Sequence, residues 1–160
     1  MSKQPKDMQS VDEILGKAML FERTAEEFYA SLEDKVGQPI RDFVAELAVK
    51  AAEQYNLFRE LRKHPDSVAQ LELKIQVPAD DHKFSDYIHL PDLGENPDDQ
   101  TILQYALGRE DAAARQYADL AKTAPEGPVQ DLFFYLSHEV LEHKAELEKR
   151  YYELAQSGGA

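Results

Sequence analysis

Cysteine is absent from all 160 residues of this chain, and so is tryptophan. Without cysteine the protein can form no disulfide, no thiolate zinc site and no cysteine nucleophile. No apolar run approaches the roughly 18 residues of a membrane-spanning helix. The first ten residues also lack the apolar segment of a secretory signal. We therefore expect a cytoplasmic protein that neither crosses nor binds a membrane.

Basic residues are scarce relative to acidic ones. Lysine and arginine number 18 against 31 aspartates and glutamates, which gives a net charge of −13. Binding to a phosphate backbone needs clustered positive charge, so nucleic acid is excluded as a partner. The chain also has no glycine-rich phosphate loop, and we expect neither a nucleotide nor haem as cofactor. An acidic balance suits a protein that handles cations, although most acidic proteins are simply well solvated.

Four long stretches place apolar residues at the i, i+3, i+4 and i+7 spacing of amphipathic helices. Ser10 stands three residues before Glu13, which is typical of a capping box at a helix start. Thr101 and Gln104 have the same spacing and predict a similar start for the third helix. The chain thus predicts an all-α domain with helices over about residues 11–35, 39–63, 101–122 and 129–156.

Residues 64–100 have a different character. This segment holds four of the eight prolines and only short apolar pieces. A structureless loop of this length is unusual inside a compact domain. We interpret it as a partly ordered crossover that joins two helical hairpins, within a single domain spanning residues 1–160.

The two hairpins look like copies of each other. With an offset of 88 residues, Glu22 aligns with Glu110 and Tyr29 with Tyr117. Apolar positions align in the same register: Ile14-Leu15 with Ile102-Leu103, Ala18 with Ala106, and Ala25 with Ala113. Two equivalent hairpins bury their apolar stripes by packing on each other. This predicts a four-helix bundle with one long crossover, the arrangement of ferritin-like folds.

Both aligned glutamates project into the core on a helical wheel. A buried carboxylate is costly unless it is paired or bound to a cation. Two such groups facing each other also repel, so one of them can hold a proton at neutral pH. Glu22 and Glu110 therefore indicate either a metal site between helices or a buried pair bonded to each other, to Tyr29 or to Tyr117.

Four segments resemble the rubrerythrin-like branch of the ferritin-like superfamily. The first and third helices carry a glutamate followed seven residues later by tyrosine, in FERTAEEFY (21–29) and REDAAARQY (109–117). The second and fourth resemble the Glu-x-x-His half, in LAVKAAEQYNLF (47–58) and LSHEVLEHKAEL (136–147). The resemblance implies a pair of iron ions held between the helices and a di-iron oxidase or peroxidase activity. Since no cysteine can form a rubredoxin-like centre, a separate electron donor is implied as partner.

The chain departs from this pattern where the second and fourth helices should supply ligands. The motif glutamates fall on Ala51 and Val140, and the motif histidines fall on Gln54 and His143. Glu53 and Glu142 do not replace them, because the wheel turns both toward solvent.

The polar residues that still point inward predict a metal site with fewer ligands than a di-iron centre. Glu22, Glu110 and His143 are the expected ligands of at most one divalent metal ion, with Gln54 or water completing the shell. Two carboxylates and one imidazole suit iron, manganese or zinc without choosing among them. The alternative is a metal-free buried network, in which His143 pairs with Glu110 and Gln54 bonds to Glu22.

Three functions follow as hypotheses. The first is a rubrerythrin-like protein with this reduced metal site, and the second is a di-iron oxidase or peroxidase. The third is a metal-free helical module for binding or assembly. If the protein is an enzyme, we expect a non-haem iron oxidoreductase of the peroxidase or ferroxidase type. In each case we expect a homodimer that pairs through an apolar helix face.

Overall fold

The computed structural model describes residues 8–64, 71–78, 81 and 83–156, without the side chains of Pro39, Leu154 and Ala155. Most of these residues lie in four long helices, so the predicted helical class is confirmed. The helices are α1 (Val11–Leu32), α2 (Gln38–Lys63), α3 (Asp99–Thr123) and α4 (Pro128–Gln156). Helix α1 packs along α2, and α3 packs along α4, as two hairpins.

Helix α1 begins with the predicted capping box. The Ser10 hydroxyl accepts from the backbone N–H of Glu13 at 3.1 Å, and the Glu13 carboxylate accepts from the backbone N–H of Ser10 at 3.2 Å. Two backbone donors at the helix start, where no intrahelical partner exists, are thereby satisfied.

The start of α3 differs from the prediction. The cap is Asp98, whose side chain accepts from the backbone N–H of Thr101 at 2.8 Å, and the helix begins at Asp99. An aspartate three residues upstream competes better for this N–H than the threonine–glutamine pair, because its ionised carboxylate also suits the positive helix N-terminus. Gln104 instead donates to the Tyr151 hydroxyl on α4. The other helix ends agree with the predicted ranges to within three residues.

A small two-stranded sheet lies at one end of the helices, and the sequence did not predict it. Strand β1 (Met8–Ser10) pairs antiparallel with β2 (Lys74–Gln76). Strand β2 belongs to the segment expected to be the crossover. Its central residue, Ile75, is buried, so the pairing closes the core beneath the start of α1.

The crossover continues from β2 into a short 3-10 turn (Phe84–Tyr87). Phe84 stacks on Phe21 of α1 with 4.2 Å between ring centroids. The hydroxyl of Thr24 donates to the backbone carbonyl of Ile88. The described part of the crossover thus contacts α1, and residues 65–70, 79–80 and 82 lie outside the described residues.

The core consists of two apolar clusters, and each draws residues from all four helices. The rotational phase predicted for α2 and α4 is confirmed, since Ala51 and Val140 are buried while Glu53 and Glu142 are exposed. Among the described residues, no helix is long and apolar enough to cross a bilayer.

Candidate functional site

Two glutamates lie in the middle of the core. Glu22 comes from α1 and is 2% exposed, and Glu110 comes from α3 and is 4% exposed. Each is on the apolar face of its helix because both sequences repeat small and apolar residues at spacings of three and four around the carboxylate. The predicted inward position of both residues is therefore confirmed.

The cation between these carboxylates is an arginine. Arg109 on α3 is 2% exposed, and its Nη2 lies 3.6 Å from Oε1 of Glu22. Its Nη1 donates to Oε1 of Glu110 at 3.3 Å. One guanidinium thus links a carboxylate on α1 to a carboxylate on α3.

Arg109 is anchored to α1 by two further contacts. Its Nη2 donates to the backbone carbonyl of Phe21 at 2.8 Å. Its Cζ also lies 3.7 Å from the centre of the Phe21 ring, which is a cation–π geometry. The flat guanidinium can stack on a ring and hydrogen-bond at its edge simultaneously, whereas an ammonium group cannot.

Burial strongly affects the pKa values of the charged groups in this network. Desolvation raises the pKa of Glu22 to about 7, against the opposing effect of Arg109, and the neighbouring Glu110 raises it further. The pKa of Glu110 is also raised, first by burial, while Arg109 and His143 act to lower it. Burial alone would lower the pKa of Arg109, but the field of Glu22 and its neighbours raises it above the ordinary value. The arginine stays charged, and the two carboxylates share one counter-charge.

Two buried tyrosines flank the network. The Tyr117 hydroxyl donates to Oε2 of Glu22 at 3.4 Å. The sequence left such a bond between a buried carboxyl and a tyrosine open as one possibility, and the contact is present. The equivalent Tyr29 hydroxyl is buried and has no hydrogen-bond partner in the described part of the chain, and burial raises its pKa well above the ordinary value. The two hairpins are therefore alike in sequence but unlike in hydrogen bonding.

The other two predicted ligands lie along a groove between α2 and α4. His143 is half-buried and lines a cavity of about 330 Å³ with carboxylates of both helices. Gln54 lines an adjoining cavity of about 170 Å³, which His143 also borders. Among the described side chains, His143 forms no hydrogen bond with Glu110 and Gln54 forms none with Glu22. The hydrogen bonds expected for a metal-free network are therefore not seen among these residues, although His143 acts electrostatically on Glu110.

The available ligand side chains do not fit a pair of metal ions. The positions for two bridging glutamates hold Ala51 and Val140, and Arg109 places a positive charge between the two glutamates that remain. Across the part of the chain that the structure describes, no three histidine, aspartate or glutamate side chains are grouped so that they could hold a metal ion. The four-ligand site of Glu22, Glu110, His143 and Gln54 stays a prediction.

Arg109 was missed by the sequence reasoning, although a signal existed. With the offset of 88, it aligns with Phe21, a buried core residue. An arginine on the apolar stripe, at the position of a phenylalanine in the other copy and beside a buried glutamate, indicates an internal ion pair. Residues 21 and 109 contact each other directly, so the equivalent positions of the two hairpins meet in the core.

Comparisons with protein-family models, with curated proteins and with solved structures give no match for this chain.

Proposed function

We propose that this chain is a ferritin-like four-helix bundle whose core is neutralised by an arginine in place of metal ions, and that it acts as a metal-independent assembly module. The observation that carries the proposal is the position of Arg109, which contacts both Glu22 and Glu110 from within the core. A guanidinium there supplies the positive charge that a bound cation would otherwise provide.

The alternative of a di-iron oxidase or peroxidase has less support. Two metal ions about 3.5–4 Å apart need bridging carboxylates to offset their repulsion. Alanine and valine cannot provide them at positions 51 and 140. Any such enzyme would also need a separate electron donor, and it would bind two irons per chain and turn over peroxide.

A rubrerythrin-like protein with a single metal ion remains the second candidate. It is favoured by one observation, that His143 acts to lower the pKa of Glu110, so the two groups interact electrostatically. If Arg109 moved aside, then Glu22, Glu110 and His143 could converge on one iron, manganese or zinc ion, with Gln54 at its edge.

Metal loading separates these candidates. Purified protein is stripped with chelator, incubated anaerobically with Fe(II), Mn(II) or Zn(II), and assayed for bound metal and melting temperature. We expect no stoichiometric metal and no metal-dependent rise in melting temperature. One metal per chain that is lost in Glu110→Ala would support the single-metal candidate. Two irons with peroxide turnover would support the di-iron enzyme.

The variant Arg109→Gln sharpens this experiment. Removing the guanidinium leaves two buried carboxylates without their cation, so we expect this variant, unlike the wild type, to gain stability from divalent metal. Arg115→Gln is the matched control, because Arg115 on the same helix forms an ion pair with Asp111 near the surface. A wild type that binds metal as tightly as Arg109→Gln would overturn the proposed role of the arginine.

The assembly partner that we propose is a second copy of the chain, paired through an outward stripe of α4. Three large apolar side chains of this stripe face solvent, with Phe134 42%, Leu141 46% and Tyr152 64% exposed. The stripe repeats at alternating spacings of four and three residues, as in a coiled-coil seam. Its members are Phe134, His138, Leu141, Ala145, Glu148 and Tyr152.

This stripe is complementary to itself. A two-fold axis near its midpoint sets two copies of α4 antiparallel, as an isologous dimer requires. The facing pairs are aromatic with aromatic, histidine with glutamate, and leucine with alanine: Phe134 and Tyr152, His138 and Glu148, Leu141 and Ala145. The histidine–glutamate pairs flank the apolar centre, which supports a second copy of the chain as the partner.

Sedimentation at protein concentrations from about 1 to 100 µM tests the pairing. We expect a dimer that Leu141→Glu converts to a monomer with an unchanged melting curve at low concentration. Val49→Glu is the control, since Val49 is an exposed apolar residue on α2, outside the stripe. We expect His138→Glu to weaken the dimer and the added change Glu148→Lys to restore it. A wild-type monomer at the highest concentration would contradict the proposal.

A further inference from the structure

The groove between α2 and α4 lies on the face that holds most of the exposed apolar side chains. Among the described residues, eight large apolar side chains are exposed, and six of them belong to these two helices: Val49, Leu57, Phe134, Tyr135, Leu141 and Tyr152. Leu57 and Tyr135 line the smaller cavity of the groove, and Phe43 and Leu47 line the larger one. Apolar side chains concentrated on one face are typical of an interaction site.

The walls of this groove are acidic. They carry one lysine, one half-buried histidine and five glutamates from both helices, which are Glu46, Glu53, Glu139, Glu142 and Glu146. Among the described residues, Glu46, Glu53 and Glu142 form no ion pair, and all three are exposed. Charge complementarity therefore favours a partner that brings positive charge to the groove.

Carboxylates of both helices act on Tyr135. Its hydroxyl donates to Oε1 of Glu139 at 2.7 Å. The pKa of Tyr135 is raised first by this hydrogen bond and then by the charge of Glu139, with smaller effects of Glu53 on α2 and Glu142 on α4. In the part of the chain that the structure describes, no three histidine or acidic side chains are close enough to hold one metal ion. The negative charge is spread along the groove, which suits an extended cationic partner.

One end of the groove already holds a basic side chain of the protein itself. The Cζ of Arg150 lies 5.5 Å from the centre of the Phe43 ring, and its Nε lies 3.3 Å from Oε1 of Glu146. Phe43 and Glu146 both line the larger cavity. An aromatic ring beside a carboxylate is a favourable place for a cation. Arg150 thus shows which class of side chain the unpaired glutamates further along the groove can bind.

The length of the groove matches a helix. Its lining residues on α2 run from Phe43 to Leu57, which at 1.5 Å per residue is about 21 Å, or four helical turns. A short polyamine covers only part of this length and leaves the exposed apolar side chains in water. A second copy of the chain has a net charge of −13 and is repelled by the acidic walls.

We propose that the groove between α2 and α4 docks a basic amphipathic helix of another protein, whose apolar side chains pack on Leu57 and Tyr135 and whose lysines or arginines pair with the glutamates of both walls. A helix bound in this way buries residues at the i, i+3, i+4 and i+7 spacing, while charges at the rim steer the encounter. The groove and the dimer stripe use different residues of α4, so this proposal does not rest on the dimer.

The test is a titration of the full chain with a fluorescein-labelled peptide of about 14 leucine and lysine residues, which is long enough for four turns. Its leucines lie on one helical face, and fluorescence anisotropy reports binding. We expect saturable binding of one peptide per chain that weakens as the salt concentration rises from about 0.05 to 0.5 M, because exposed charges are screened. The same residues in scrambled order should bind more weakly, and a leucine–glutamate peptide should not bind.

Variants of exposed glutamates locate the site. Glu53→Gln with Glu142→Gln removes one carboxylate from each wall and should weaken peptide binding roughly 3- to 25-fold, since an exposed ion pair contributes up to about fivefold in affinity. Glu72→Gln with Glu126→Gln is the matched control, because it changes the net charge equally at exposed positions outside the groove. We expect the control to bind the peptide as the wild type does.

Other occupants of the groove give different results, and each would overturn the proposal. Equal losses in the groove variant and in the control would show attraction to net charge alone. Spermidine that binds as tightly as the peptide and displaces it would assign the groove to a polyamine. Altered sedimentation of the groove variant with unchanged peptide binding would assign it to a second copy. A wild type that binds no peptide contradicts this proposal whether or not it dimerises, and a monomer that binds the peptide contradicts only the dimer.

Discussion

Arg109 and Glu22 lie on different helices with 3.6 Å between Nη2 and Oε1, and each side chain is almost completely removed from solvent. The same guanidinium donates to the adjacent Glu110, so one cation serves two buried carboxylates. This arrangement joins α1 to α3 by charge in the middle of an apolar core.

Removal of the guanidinium should be strongly destabilising. Arg109→Leu keeps much of the side-chain volume but leaves Glu22 and Glu110 without their counter-charge. Breaking a buried ion pair on one side costs about 3–5 kcal/mol. Urea denaturation at pH 7 measures this loss, and Arg115→Leu, which removes an exposed ion pair, should cost about 1 kcal/mol or less.

Replacement of all three charged residues should lower the free energy of unfolding far less than Arg109→Leu does. In Glu22→Gln with Glu110→Gln and Arg109→Met, no buried charge remains. Buried ion networks are often neutral or favourable to replace by uncharged groups of similar volume. We expect this triple variant to be more stable in urea than Arg109→Leu alone. A triple variant that is the less stable of the two would mean that the ions themselves hold the hairpins together.

Stability should fall as the pH rises toward neutrality. The folded protein holds the Glu22 proton up to about pH 7, whereas an ordinary glutamate releases it near 4.5. The folded state therefore binds more protons in this window, and the free energy of unfolding decreases between these pH values. The decrease is about 3 kcal/mol at most. Glu22→Gln should flatten this part of the pH profile, while Glu53→Gln, an exposed control, should not.

Substitution of Gly108 tests the contact between α3 and Tyr87 of the crossover. A Cβ at this position would lie 2.6 Å from the Tyr87 hydroxyl oxygen. The Tyr87 ring is confined by edge contacts with Phe21 and Tyr105, so it cannot rotate away freely. Replacing glycine by alanine inside a helix ordinarily adds about 1 kcal/mol to the free energy of unfolding. Because of the clash with Tyr87, we expect Gly108→Ala to lack this gain and to make residues 83–90 more accessible to hydrogen exchange.

A second substitution tests whether the Tyr87 hydroxyl is the group that obstructs alanine at position 108. Tyr87→Phe removes the oxygen that the new methyl group would meet, and the next atom of the ring is 3.7 Å away. In that background Gly108→Ala should recover the full gain in unfolding free energy. Gly16→Ala is a further comparison, because the three atoms nearest to its Cβ all belong to the Arg62 guanidinium, the closest at 3.3 Å. Equal effects of Gly108→Ala in both backgrounds would show that Tyr87 is not the obstacle.

The cap of α3 offers a smaller prediction. Asp98→Ala removes the acceptor for the Thr101 N–H and should cost about 1 kcal/mol. Asp98→Asn keeps the acceptor and should cost less. Thermal denaturation at pH 7 distinguishes the two, and a loss in Asp98→Asn as large as in Asp98→Ala would assign the effect to charge at the helix terminus rather than to the cap.

Much of this fold could be predicted from local pattern. The four helices, the Ser10–Glu13 cap and the inward position of Glu22 all follow from spacings within one helix. The burial of Ala51 and Val140 follows in the same way, and it removed the bridging ligands from the predicted site. Periodicity is reliable here because a helix fixes which residues share a face before any tertiary contact forms.

Only the tertiary structure decided the contacts between segments that are distant in sequence. The helical pattern places two glutamates in the core, and an arginine on the same apolar stripe indicates an ion pair, but the contact of Arg109 with Glu22 depends on how α3 faces α1. The pairing of β1 with β2 likewise joins segments that are distant in sequence. Side-chain periodicity determined which way each group points, and only the packing of the hairpins determined which group it meets.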